Sequence, residues 1–133
     1  MEKNGFTLIE LLGVITILSM LGLIIIPTIN NIISDNKNEL YEVQIRNIKS
    51  GTSNFVSDHV FSDDLDIPNN SSIGIRLGKL KELGYVDFDI TNPISRNKFS
   101  DDLVILITNN NGFYYTVCDE HVNCDLDVRF YGD

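Results

Sequence analysis

Hydrophobic positions crowd the beginning of the chain. From Phe6 to Ile26 the run is apolar or small and holds one charged side chain, Glu10. At about 1.5 Å rise per residue, these 21 residues predict a helix of about 30 Å, the thickness of a bilayer's hydrocarbon core. From Thr28 the chain turns polar yet keeps an apolar stripe: Ile29, Ile32, Ile33, Leu40, Val43, Ile45, Ile48, Thr52 and Phe55, mostly at helical steps. The stripe predicts an amphipathic continuation of the first helix that gives one face to a soluble domain. Pro27, between the two halves, has no amide proton and disfavours helical geometry at Ile26, so a bend is expected there.

Further on the pattern shortens. SDHVFSDDLDIPNNSS, residues 57–72, combines acids, a proline and paired asparagines and reads as a loop. A short helix is expected next, capped by Ser71 or Ser72, facing Ile75, Leu77, Leu80 and Leu83 inward and ending at Gly84. Val86, Phe88 and Ile90 alternate with acids and predict a half-buried strand. Leu103 to Thr108 and Phe113 to Cys118 flank NNNG, whose Asn111-Gly112 pair is a strong hairpin signal. Val128 and Phe130 mark a last strand. The fold expected is α+β, a small antiparallel sheet packed on the carboxyl half of the long helix.

Charge and composition narrow the class. The chain has 133 residues, enough beyond the first helix for one small domain, and a formal net charge of −9. A surface this acidic repels phosphate backbones, so no direct nucleic-acid partner is expected. The basic clusters Arg76, Lys79, Lys81 and Arg96, Lys98 read as a solvated helix face and a loop. The apolar run is too long for a secretory h-region, the chain contains no alanine for an A-x-A site, and no cysteine near its end allows lipidation. It reads as a helix kept by the mature protein, preceded by the leader MEKNG with Lys3 as its only base. Positive-inside logic puts that leader in the cytoplasm and the chain after Ile26 outside.

Candidate chemistry is sparse. An acid inside a membrane helix is costly and is read as functional, with a carboxylate snorkelling to the interface as the bland alternative for Glu10. DDLD lacks the glycine and spaced oxygen ligands of a calcium loop. His59 and His121 sit in no motif with a nucleophile or phosphate loop, so no catalytic residue, metal or cofactor is expected. Tyr114, Tyr115 and Tyr131 are read as strand packing rather than a ligand surface. Cys118 and Cys124 enclose DEHVN, and outside the membrane a disulfide can form there. A metal site using His121 and Asp119, or two free thiols, are the competing readings. Five intervening residues match no common zinc spacing.

Gly5 followed by Phe6, Thr7, Leu8, Ile9 and Glu10 and then a long apolar helix resembles the class III signal of type IV pilins and type II secretion pseudopilins. In that family a membrane-embedded aspartyl prepilin peptidase cuts after the glycine and methylates the new amino terminus. The resemblance implies cleavage between Gly5 and Phe6, N-methylation of Phe6, and Glu10 as the acid that meets the Phe6 amine of a neighbouring subunit. Pro27 then falls where pilins commonly have a proline. RLGKLKELGYVDFDITNP also resembles the head of many pilins from Gram-positive bacteria.

The expected organisation is a leader at 1–5, a transmembrane and filament-core helix at 6–27, its amphipathic continuation at 28–57 and a globular head at 58–133, the pilin lollipop. The resemblance implies a structural subunit rather than an enzyme, small enough for a minor pilin or pseudopilin. Its partners would be other pilin subunits, prepilin peptidase, a membrane platform protein and an assembly ATPase. Its place would be the cell membrane with the head outside, then an extracellular pilus or envelope-spanning pseudopilus. The rival reading is a membrane-anchored extracellular binding or enzymatic domain whose amino-terminal anchor stays uncut.

Overall fold

In the computed structural model, which describes residues 4–132, a 54-residue helix α1 (Leu8–Phe61) precedes a small mixed α+β region. Met1 to Lys3 of the expected leader lie outside the described residues. The elements that follow are β1 (Ser71–Arg76), α2 (Leu77–Glu82), β2 (Val104–Asn109), β3 (Phe113–Cys118) and β4 (Arg129–Phe130). The chain divides into two units, residues 1–37 and 38–133, and α1 contributes to both.

In the first unit α1 is apolar and its large side chains are exposed, Leu8 to Ile33 alike. The helix is long and apolar enough to cross a membrane by length and composition. The hydroxyls between Leu8 and Thr28 bond within it: Thr16 Oγ1 donates to the Gly13 carbonyl at 2.8 Å, Ser19 Oγ to Ile15 at 2.7 Å and Thr28 Oγ1 to Ile24 at 3.1 Å. This back-bonding gives those three hydroxyls partners that hydrocarbon would not supply. Pro27 lies inside α1, and the helix continues through it.

In the second unit the last turns of α1 bury Ile45, Ile48, Thr52, Phe55 and Val56, the carboxyl half of the expected stripe. Thr52 Oγ1 donates to the Ile48 carbonyl at 2.8 Å, so its burial leaves no unmet group. Leu40 and Val43 stay exposed, while Tyr41 between them packs half-buried against the core, so the packed face begins at Tyr41. The helix outruns the expected loop start at Ser57 and stops at Phe61. Asp63 there adopts φ 64°, and the amides of Asp64 and Leu65 close on the His59 carbonyl. An aspartate in the left-handed region terminates the helix where a glycine would be the usual signal.

The sheet order is β3-β2-β1-β4. β1 pairs antiparallel with β2, from Ser71 opposite Asn109 to Arg76 opposite Val104, and β2 with β3, from Val104 opposite Cys118 to Asn109 opposite Phe113. The hairpin expected around NNNG is present; Asn111 (φ 53°) and Gly112 (φ 156°) carry the turn. β4 pairs parallel with β1, Ile73 opposite Arg129 and Gly74 opposite Phe130, so the sheet is mixed and the wholly antiparallel expectation is corrected. The cause is the route of the chain: residues 119–128 carry it past β2 to the free edge of β1, and a strand arriving that way runs parallel. Gly74 permits the arrival, because a Cβ there would lie 2.8 Å from the Phe130 ring.

Two further expectations are corrected. Ser71 and Ser72 belong to β1 and do not cap a helix; Ser72 Oγ lies 2.9 Å from Thr108 Oγ1 across the ladder. Ile73 and Ile75 bury on one face with period two, and β2 offers a partner, which outweighs the local capping signal of the serines. The helix that follows is only Leu77–Glu82, ending as expected at Gly84 (φ 83°). The predicted strand at Val86, Phe88 and Ile90 is absent: Val86 and Ile90 bury while Phe88 is 71% exposed, with Lys98 Nζ 5.3 Å from its ring centre. Alternation of apolar residues gave the wrong period because the segment is a series of turns, with Ile90 N–H bonded to the Asp87 carbonyl.

The core joins Ile45, Ile48, Phe55 and Val56 of α1 to Ile73 and Ile75 of β1, Leu77 and Leu80 of α2, Ile105 and Ile107 of β2 and Val117 of β3. Lys81 is buried beside it. Its ammonium donates to Asp101 Oδ1 at 2.7 Å and to the Phe99 carbonyl at 3.3 Å. Tyr115 and Tyr131 pack on this core, as expected for strand residues, whereas Tyr114 is exposed.

Candidate functional site

The amino-terminal motif is built from the first turn of α1. Thr7 precedes the first helical residue and its side chain accepts from the Glu10 N–H at 3.4 Å, while Glu10 Oε2 accepts from the Thr7 N–H at 2.9 Å. The spacing T-x-x-E and the reciprocal bonds make a capping box, which satisfies two of the amides that every helix start leaves unpaired. The acid inside the apolar run therefore has a partner within its own chain, and its charge sits at the favourable end of the helix dipole.

The T-x-x-E spacing of TLIE is the sequence signal for this cap, and it was not among the sequence expectations. Phe6 and Leu11 occupy the staple positions on either side of the cap, yet Phe6 is 95% exposed, so no staple forms. A side chain at Gly5 would meet nothing within 4 Å. The fold of the chain thus places no demand of its own on glycine there.

In the second unit Cys118 and Cys124 are joined in a disulfide with Cα atoms 5.7 Å apart. Closing so short a loop stabilises the domain by about 2–3 kcal/mol on loop-entropy grounds. The loop's conformation is set by Asp119, whose Oδ1 accepts from the His121 N–H at 2.9 Å and whose carbonyl accepts from Val122 at 3.2 Å. The same carboxylate accepts the Tyr41 hydroxyl of α1, and the His121 ring meets Tyr41 edge-on with centroids 6.5 Å apart. Burial, then the bond to Asp119 and the nearby Glu42 and Glu120 carboxylates, push the Tyr41 hydroxyl well above the ordinary tyrosine range. Tyr41 was missed by sequence reasoning, since nothing local marks a partner 78 residues away.

His59 lies at the other end of the buried segment of α1, its ring 4.2 Å from Phe55 and 5.7 Å from Tyr131, and its Nδ1 2.9 Å from the Phe55 carbonyl. This is a packed aromatic cluster. Among the described residues no group of three or more His, Cys, Asp or Glu side chains converges to hold a metal ion.

Comparison with known proteins decides the class of the first segment. Residues 1–26 match the family description prokaryotic N-terminal methylation motif. The chain carries a class III pilin-type signal. That match supports the type IV pilin and pseudopilin family, and it covers Gly5, Phe6, the Thr7 to Glu10 cap and the apolar half of α1 up to Ile26. No curated protein and no solved structure matches the chain.

Proposed function

We propose that the chain is a structural subunit of a type IV pilus-like filament or pseudopilus, cut after Gly5 by prepilin peptidase, methylated at Phe6 and polymerised through α1. The methylation motif at residues 1–26 carries this reading. Two physical features support it. Phe6 and the cap are exposed, so a peptidase meets an unobstructed backbone at Gly5. The apolar side chains of residues 8–33 have no partners of their own within the subunit, which suits a helix that leaves lipid for a bundle of its own kind.

Cleavage turns the Phe6 nitrogen into an amine that stays cationic after one methylation. In hydrocarbon a lone cation and a lone carboxylate are each costly, and Glu10 of a neighbouring subunit neutralises both. Before assembly, Glu10 is held by Thr7; on assembly it exchanges an amide for an ammonium, a stronger partner. Pro27 removes one helical hydrogen bond and gives α1 a place to bend between its lipid-facing and core-facing parts. The head lies outside the membrane, consistent with its disulfide. The other subunits, the platform protein and the ATPase come from other chains.

The mass of membrane-extracted protein, expressed with and without prepilin peptidase, tests the reading. Loss of MEKNG plus one methyl group is expected, and a Gly5→Leu variant should stay uncut. An intact Met1 in the presence of an active peptidase would replace this reading with that of an uncleaved anchor bearing an extracellular binding or enzymatic domain.

A further inference from the structure

The pair Asn-Gly occurs twice in the chain, at Asn4-Gly5 in the leader and at Asn111-Gly112 in the tip of the β2–β3 hairpin. Such a pair is open to an intramolecular reaction, because the glycine nitrogen can approach the side-chain amide carbon of the asparagine with no Cβ in the way. At the hairpin tip both reacting groups face solvent. Asn111 and Gly112 are exposed, and among the described residues the Gly112 N–H donates to nothing, although the Gly112 carbonyl accepts from the Asn110 N–H at 2.9 Å.

Asn69 restrains the reaction. Its Oδ1 accepts from the Asn111 N–H at 2.9 Å and its Nδ2 donates to Asn111 Oδ1 at 3.1 Å, so one side chain clamps both the backbone and the amide of the reacting residue. The backbone resists as well. Asn111 holds φ 53°, in the left-handed region, where a ψ of about +47° carries the next nitrogen away from the side chain. The turn must therefore release Asn69 and rotate about the Asn111 Cα–C bond before the two groups meet. Exposed loop tips are where such opening costs least.

We infer that Asn111 is a site of spontaneous deamidation gated by its clamp to Asn69. In the opened turn the Gly112 nitrogen gives its proton to water and bonds to Asn111 Cγ, the Cγ–Nδ2 bond breaks, and Nδ2 leaves as ammonia with a proton from solvent. Water then opens the cyclic imide at either carbonyl. The products are aspartate or its β-linked isomer at position 111; one water is consumed, one ammonia is released, and no other reactant enters. Either product changes the tip. Aspartate puts a carboxylate into the stretch from Leu103 to Cys118, which has no charged side chain, and the isomer adds a carbon to the backbone between the paired Asn109 and Phe113. The inference does not depend on the filament reading.

The full-length precursor, made without prepilin peptidase, keeps both Asn-Gly pairs, so Asn4, exposed ahead of α1, serves as an internal reference. Purified in detergent and held at mildly alkaline pH, it is sampled over time by peptide mass mapping. Mass reads the exchange of an amide for a carboxyl group, and retention separates aspartate from its isomer. The peptide carrying Asn111 should convert, more slowly than the one carrying Asn4, with the change confined to Asn111 among the three asparagines of the tip. Asn69→Ala should raise the rate at Asn111 about fivefold, the worth of one hydrogen bond, and leave the rate at Asn4 unchanged. Asn69→Asp keeps the acceptor for the Asn111 N–H and loses the donor to its side chain, so it should fall between. In reduced, denatured protein the clamp is gone and the two rates should converge. An Asn111 still amidated after Asn4 is consumed, one that converts as fast as Asn4 in the folded protein, or one whose rate Asn69→Ala does not raise would each overturn the inference.

Discussion

Leu11, Ile15, Leu18 and Ile25 in the first unit and Ile45, Ile48 and Phe55 in the second belong to the same helix, yet the first set is half or more exposed and the second is buried. Burying a side chain of this kind is worth about 1.5–3 kcal/mol, so the second unit carries its own stabilisation in its core. Among its described residues the first unit buries no large side chain, and on the filament reading proposed above its stability comes from the medium around it, lipid or the helices of other subunits. On that reading the difference sets where a mutation acts: in the first unit on insertion and assembly, in the second on folding.

Glu10→Ala gives the largest expected effect and acts wholly on the first side of that divide. Insertion should be spared or improved, because the costly charge is gone. Cleavage should continue, since the cut lies at Gly5. Assembly should fail, because the amine of the incoming subunit enters an apolar setting without its acid, and breaking such a pair costs about 3–5 kcal/mol. Glu10→Gln should be intermediate, keeping an acceptor for both the Thr7 amide and the incoming amine without the charge. Comparing sheared filament and membrane fractions for the three proteins checks this. Normal incorporation of Glu10→Ala would reduce the carboxylate to a helix cap.

What was legible in the sequence follows from range. The apolar run, the class III signal and the β2–β3 hairpin are local patterns, and the structure or the family match carries each of them. The disulfide needed only two cysteines close together in sequence. β1 was hidden because SSIGIR has capping residues before a short apolar stretch, and only its pairing with β2 some thirty residues on decides for strand. The parallel β4, the arrest of α1 at Asp63 and the Tyr41–Asp119 bond likewise depend on partners far away in sequence or on a backbone conformation unusual for the residue. At the amino terminus the miss was of another kind. TLIE reads as a capping box, and a cap within the chain is compatible with the intermolecular partner proposed for Glu10.

Glycine substitutions sharpen the comparison at the next scale. A Cβ at Gly51 would overlap the Tyr85 carbonyl oxygen and lie 2.8 Å from Val86 Cγ2, whereas at Gly13 or Gly22 it would meet nothing within 4 Å. Gly51→Ala should therefore destabilise the second unit by about 1–3 kcal/mol, as overpacking against backbone does. Gly13→Ala and Gly22→Ala should leave head stability unchanged and affect only the packing of subunits, where small residues allow close approach. Denaturant unfolding of the head in detergent-solubilised protein reads the first effect and filament yield the second. Equal loss of head stability in all three would erase the distinction between the units.

The smallest effect concerns the bond that ties the disulfide loop to α1. Tyr41→Phe removes the hydroxyl donated to Asp119, at a cost of about 1 kcal/mol, because a hollow beside it lets water take its place on the carboxylate. The pH dependence is more specific than the magnitude. Tyr41 holds its proton to higher pH in the folded state than the ordinary value near 10, so its contribution is complete below about pH 10. Above that the unfolded chain ionises first, the native state binds the extra proton, and stability falls as pH rises. Tyr85, raised by its bond to Asp58, gives a background slope of the same sign in both proteins. Unfolding free energy followed from neutral into alkaline solution should thus decline more steeply for wild type than for Tyr41→Phe, and the two curves should converge as the bond is lost from the wild type. Parallel curves would mean that the loop is held by the disulfide alone and that Tyr41 adds only its ring.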